Sequence, residues 1–314
     1  MGAYEYCFYK FRWSHFSTTN GKLENIAYAL TLFFILTSNS LLLYGIYKTK
    51  QTKSFTNRMF IVMSISDLIC GSIVIPVYFA NVYIDQHPLK CHQLSQVEGY
   101  VYSFFSIVSA INTMTLAIDR FVFIRHPFKY KQIFNKKRTL ALAVYISYSI
   151  STGLIIMETD ATETFYIAAI VLLSLVFTTS ITLNVFLVKY IRKQNKEIRR
   201  LSNTYMQSSY QKRATHTVMI ITLVLVLTHL PQLGLLGRMF RRNRHPKVEF
   251  DRTTIIYFHW ARLLVLANAG LNALIYISKN QSIIKLYRKR CKSLSMRSLR
   301  SFTLSSRNTS TSSN

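Results

Sequence analysis

Seven stretches of this chain are each apolar for about 20 residues or more, the length a helix rising ~1.5 Å per residue needs to cross ~30 Å of hydrocarbon. They run from Ile26 to Tyr47, Met59 to Ile84, about Tyr100 to Ile124, Thr139 to Met157, Thr164 to Val188, Ala214 to Gly237 and Thr253 to Ser278. The first, fourth, fifth and sixth contain no Asp, Glu, Lys or Arg. The second holds only Asp67, the third only the pair Asp119 and Arg120 at one end, and the seventh only Arg262. Core helices of soluble proteins are shorter and keep a polar face. The pattern therefore predicts an all-α membrane protein: a seven-transmembrane helical bundle, with a short amphipathic eighth helix after the last span.

A formal charge of +27 on 314 residues that are 50% hydrophobic would be hard to place in a soluble domain. Its distribution explains it. Of the 39 Lys and Arg, 28 fall after the first, third, fifth and seventh spans, counting Arg120 at the inner end of the third. Short basic loops stay in the cytosol, so the amino terminus is expected outside and the carboxyl terminus inside. The basic inner segments face anionic membrane lipids, and no nucleic acid is needed to account for them. The organisation expected is an extracellular tail over 1–22, the membrane domain over 23–279, the amphipathic helix over 280–291 and a disordered cytoplasmic tail over 292–314. The first 22 residues contain Lys10, Arg12 and Lys22 and lack a long apolar core, so the first span is expected to serve as the insertion signal.

Cys7 and Cys91 both fall on the oxidising outer side, where either a disulfide between them or two thiols fits the topology. Cys70 reads as a packing residue, and Cys291, at the end of a basic amphipathic run, as either a palmitoylation site or an unmodified thiol. The sequons at Asn280 and Asn308 lie on the cytoplasmic side and should be silent.

A charge or amide in hydrocarbon costs several kcal/mol unless it is paired or faces a wet cavity, so each such residue is a functional hypothesis. Here they are Asn39, Asp67, Ser109, the pair Asp119 and Arg120, His229 beside Pro231, and Asn268, Asn272 and Tyr276.

These residues stand in a recognisable order. Asn57-Arg58-Met59-Phe60-Ile61 with Ser66-Asp67-Leu68, then Asp119-Arg120-Phe121 with Pro127 seven residues beyond the arginine, then Asn268 and Asn272-Ala273-Leu274-Ile275-Tyr276 resemble the second-helix, DRY and NPxxY segments of the rhodopsin-like (class A) G-protein-coupled receptors. The resemblance covers roughly residues 25 to 291. It implies a plasma-membrane receptor whose partners are a heterotrimeric G protein and, through the Ser/Thr-rich tail, arrestin and a receptor kinase. It implies that Asp67, Ser109, Asn268 and Asn272, with Asn39 nearby, form a chamber for sodium. Carboxylate, hydroxyl and amide oxygens suit such a hard cation, although an internal hydrogen-bond network holding water remains the alternative. It also makes Asp119, Arg120, Phe121 and Pro127 the inner switch, with Tyr276 swinging inward to support the active state. Pro231, lacking a backbone donor, should kink the sixth helix into a lever.

Several family landmarks are absent. His229 and Thr228 replace the Trp and Cys that precede the sixth-helix proline, Ala273 replaces the proline of the last motif, and Asn184 stands where the fifth helix has Tyr. The fifth helix has no proline, and the segment after the fourth has no cysteine, which forbids the family's usual disulfide. With an outer loop of only Glu158 to Glu163, these features are similar to the melanocortin, lipid, cannabinoid and adenosine group. No acid stands near Gln211, Lys212 and Arg213 to pair with Arg120 from the sixth helix, which predicts basal activity.

At the position where amine receptors carry Asp, 18 residues before Arg120, this chain has Tyr102, which disfavours a monoamine. The seventh span has no Lys for a retinal Schiff base. Glu98 reads either as a counter-charge for a cationic peptide or as a solvated loop-end carboxylate. Arg238, Arg241, Arg242, Arg244 and Lys247 give a basic outer loop that either steers an anionic ligand or is screened by salt, Glu249 and Asp251. Catalysis is not expected, since no nucleophile-base pair, metal-ligand spacing or Gly-rich phosphate loop occurs. The competing readings are a receptor-like protein that no longer signals and an ion-coupled transporter using Asp67. The latter lacks the internal repeats such folds show.

Overall fold

A computed structural model describes residues 18–83, 88–126, 129, 130, 132, 137–200, 205–244 and 252–293. Seven long helices follow in order: α1 Thr19–Lys48, α2 Phe55–Tyr83, α3 Pro88–Arg125, α4 Lys137–Asp160, α5 Thr162–Arg200, α6 Tyr205–Arg244 and α7 Arg252–Lys279. A shorter α8 covers residues 281–293. Each of the seven contains a stretch long and apolar enough to cross a membrane, so the chain is a multi-pass membrane protein.

The local chemistry sets the ends. The Thr18 side chain caps α1 by accepting from the Gly21 amide. At the other end Thr49 bonds back to Gly45, and Lys50 adopts φ 53° to turn the chain toward α2. Hydroxyls inside the spans satisfy themselves locally, as when Thr37, Thr113, Thr222 and Thr228 donate to carbonyls four residues back.

Packing makes α3 the axis of the bundle. It touches α2, α4, α5, α6 and α7, while α1 closes the ring against α2 and α7. Leu30, Phe33, Leu175 and Leu223 turn outward, each more than half exposed, as a lipid-facing surface requires. Inside, one apolar cluster at the end of the bundle next to α8 joins Leu42, Met59, Phe60, Leu116, Ile221 and Tyr276 with Ile283 of α8. A second, outer cluster stacks Tyr28, Ile35, Tyr78, Tyr102 and Leu266. Where α1 meets α7, Gly270 leaves room for the Phe34 ring, which a Cβ at that position would overlap. Gly45 likewise makes room for Ile283, with Tyr287 of α8 donating to the Leu41 carbonyl at 2.5 Å.

Four boundaries differ from expectation. The helices overrun the apolar stretches because capped, basic and polar turns continue them past the hydrocarbon. The connection between α4 and α5 is Ala161 alone rather than Glu158 to Glu163. Arg238, Arg241 and Arg244 belong to the last turns of α6, not to a loop; Arg244 pairs with Glu163 at 2.6 Å, and Arg238 donates to Thr254. The amphipathic helix spans 281–293 instead of 280–291, with Asn280 capping it through its side chain. Cys7, Pro127 and the carboxyl-terminal tail, with Asn308, lie outside the described residues, as do the side chains of Cys91, Gln211, Lys212, Arg213, Arg242, Lys247, Glu249 and Asp251. Cys291 is an exposed free thiol, and Cys70 is buried.

Candidate functional site

Near the carboxyl-terminal end of α3, Asp119 is fully buried and Arg120 is 6% exposed. Their carboxylate and guanidinium meet at 2.6 Å. Two further groups complete the arrangement. Thr56 at the start of α2 donates its hydroxyl to Asp119 Oδ2 at 2.8 Å and accepts from Arg120. Tyr130, just beyond α3, donates to Asp119 Oδ1 at 2.8 Å. Burial and the neighbouring Asp119 carboxylate both raise the Tyr130 phenol above its ordinary value, so it stays a donor at physiological pH. The guanidinium also sits 5.0 Å above the Phe123 ring. A buried pair held from three elements is a latch, because losing one partner would strand the other charge in a dry interior.

Tyr276 on α7 closes a second inner contact. Its hydroxyl donates to Asn57 Oδ1 at 2.6 Å and accepts from Asn280, which also donates to Gln51; Asn57 in turn donates to the Gln51 carbonyl. The phenol ring lies 4.1 Å from Phe60. Tyr276 is thus tied to the α1–α2 connection rather than aimed at α3.

Midway through the bundle, Asp67, Ser106, Ser109 and His229 line a cavity of about 20 Å³, room for about one water-sized species. Among the described residues, no group bonds Asp67 Oδ2, Ser109 Oγ or His229 Nε2. His229 Nδ1 is held against the Leu225 carbonyl at 2.9 Å, which fixes the ring with its other nitrogen inward. Asn268 and Asn272, one turn apart on α7, are buried with Asn268 Oδ1 and both Asn272 amide atoms unbonded. Asn39 donates to the Ile35 and Ala269 carbonyls, joining α1 to α7. Asp67 and Ser109 therefore share one wall, and Asn39 serves α7 backbone. No described contact links Asn268 or Asn272 to Asp67. Asp67 Oδ2 and Ser109 Oγ face this cavity without a described protein partner, and such oxygens are of the type a hard monovalent cation takes. Asn112 on α3 is fully buried with both amide atoms unbonded and was passed over in the sequence, although the rule that selected Asn39 applies to it equally.

Toward the opposite end of the bundle a pocket of about 210 Å³ opens between α3, α4, α5, α6 and α7. Glu98 lies in its wall, 2% exposed, with its carboxylate 2.9 Å from the Arg262 guanidinium and its carbonyl accepting from the same group. It is not a solvated loop-end carboxylate, because α3 continues outward past it to Pro88. Arg262 stacks 4.4 Å above Tyr102, whose hydroxyl donates to Gln232 at 2.7 Å. Beside the pocket, buried Glu24 meets His259 at 3.0 Å and accepts from Tyr78 at 2.9 Å. The sequence singled out Glu98, Tyr102 and the lone charge of Arg262; that Arg262 meets Glu98, Gln232 meets Tyr102 and Glu24 meets His259 needed the helix register.

A helical bundle with an axial third helix, an inner acid-arginine latch and an outer pocket defines a seven-helix receptor architecture. The profile described as "7 transmembrane receptor (rhodopsin family)" matches residues 38–159, from the last third of α1 through α4. Human Neuropeptide FF receptor 1 is 25% identical over 111 residues, an alignment covering 35% of this chain and 26% of that protein. The chain thus aligns with about a quarter of the length of that curated relative. Over residues 38–159 the chain is thus similar to the rhodopsin family of seven-transmembrane receptors.

Proposed function

We propose that the protein is a plasma-membrane receptor with its amino terminus outside, coupling an extracellular ligand to a heterotrimeric G protein by outward movement of α6. The observation that carries this reading is the buried Asp119–Arg120 pair, held by Thr56 and Tyr130 and accessible to a cytosolic partner only if the inner ends separate. A structural ion pair needs no such concentration of polar partners at one helix end. Arrestin and a receptor kinase act on the Ser/Thr-rich tail, and sodium between Asp67 and Ser109 favours the closed state. The ligand enters the outer pocket, where Arg262 offers a guanidinium and Glu98 a carboxylate, each able to exchange its partner for a charged ligand group. A volume of about 210 Å³ is small against the ~300–1,000 Å³ of a drug-sized site and suits the terminal side chains of a peptide. The similar human protein is by its name a neuropeptide receptor, which agrees with a peptide ligand.

The test is nucleotide exchange on purified heterotrimeric G proteins by the full chain in nanodiscs, with peptide, lipid and nucleoside panels. The wild type stimulates exchange, and Arg120→Ala abolishes it while surface expression persists. Equal exchange by both proteins, or none by the wild type with any G protein, would replace this reading with a non-signalling seven-helix protein.

A further inference from the structure

At the inner end of the α3–α5 junction, a pocket of about 380 Å³ has two chemically distinct halves. Phe121, Ile124 and Phe186 form its apolar part, and Arg125, Lys189 and Lys193 form its rim. The apolar half opens toward the bilayer, with Phe186 56% exposed. The basic half sits where hydrocarbon gives way to head groups, since the apolar stretches of α3 and α5 end at Ile124 and Val188, one residue before Arg125 and Lys189. All three cations are exposed, and among the described residues no carboxylate pairs with any of them. Arg125 instead lies 5.7 Å over the Tyr190 ring, which holds its guanidinium at the pocket mouth.

We infer that this pocket is a binding site for an anionic phospholipid of the inner leaflet, its phosphate head group held by Arg125, Lys189 and Lys193 and an acyl chain lying against Phe121, Ile124 and Phe186. Both halves are needed for that assignment. Three exposed cations facing anionic lipids attract a phosphate group, each contributing about a factor of five in affinity. A soluble anion would use the cations and leave the aromatic wall exposed. The site is distinct from the latch, because Phe121 follows Arg120 on α3 but faces α5 rather than α2. Occupancy would brace α5 against α3 at the end where α6 must move, so the lipid acts on the same transition. The inference rests on the proposed orientation, in which this end faces the cytosol.

The experiment is native mass spectrometry of the full chain purified in detergent, titrated with a short-chain phosphatidylinositol bisphosphate and with phosphatidylcholine. The wild type retains the anionic lipid and not phosphatidylcholine. Lys189→Gln with Lys193→Gln weakens retention about 25-fold, whereas Lys48→Gln with Lys53→Gln, removing equal charge elsewhere, leaves it unchanged. Phe186→Ala weakens lipid retention without changing retention of soluble inositol trisphosphate. Equal loss in both charge variants, or retention that Phe186→Ala leaves intact, overturns the site in favour of general charge attraction or a free anion. Unchanged thermal melting in phosphatidylcholine confirms that each variant folds. Orientation is read separately by antibody access to tags at either terminus of intact cells. A reversed orientation would remove the proposed function, while loss of the lipid site would leave it standing.

Discussion

Replacing Tyr130 with Phe removes one oxygen from the inner latch and nothing else, because the ring keeps its edge contact with Phe123 at 4.8 Å. The lost bond is the 2.8 Å donation to Asp119 Oδ1. A hydrogen bond to an ionised group contributes about 1.5–3 kcal/mol net, and Tyr130 is only half-buried, which favours the lower figure. About 1.4 kcal/mol is a factor of ten in an equilibrium constant. The closed-to-open equilibrium should therefore shift about tenfold toward open. With an open population of roughly 0.1–10% at rest, ligand-free nucleotide exchange should rise severalfold to tenfold in the variant. Thr56→Val removes the other neutral donor to Asp119 and should act the same way, with non-additive effects in the double variant. Unchanged basal exchange at equal surface expression in both single variants would show that these contacts stabilise the fold without biasing a switch.

Gly270→Ala drives a methyl group into the Phe34 ring where α1 packs on α7, and should cost about 1–3 kcal/mol, read as a lower melting temperature in detergent; no change would mean α1 packs more loosely than described. Arg262→Gln strands the buried Glu98 carboxylate and should destabilise by about 3–5 kcal/mol, with much of the loss recovered by adding Glu98→Gln. Failure of the second change to rescue would argue that Arg262 matters for packing over Tyr102 instead. Sodium should raise the melting temperature of the wild type relative to choline, and Asp67→Asn should abolish that difference. An equal sodium response in Asp67→Asn would place the cation elsewhere.

The spans were legible because apolar length is a property of the chain itself, independent of neighbours. So were Asp67, Asp119 and Arg120, since a charge in hydrocarbon announces a partner or a cavity. Their partners were not. Thr56 and Tyr130 are ordinary residues in polar surroundings, and only the fold brings them to Asp119. The outer half was read least well: Arg262 stood out as a lone charge, but its pairing with Glu98 joins positions 164 residues apart in sequence. The arginines at the end of α6 looked like a loop because basic residues carry no period of their own, yet they have high helix propensity and continue the helix once it is begun. Pro231 illustrates the opposite case. A kink in α6 is the expectation there, and the residue lies within a helix that runs to Arg244, its carbonyl accepting from Tyr257.

The proposed signalling requires that the inner face of the bundle be closed by a releasable polar contact. Spin labels at Lys50 and His216, both exposed near the inner ends of α1 and α6, would report that closure as a distance distribution by double electron–electron resonance. One short population is expected for the full chain alone, and a longer one when nucleotide-free G protein is added, with Tyr130→Phe populating the longer distance unaided. A single distribution that neither the G protein nor the substitution alters would contradict a releasable closure.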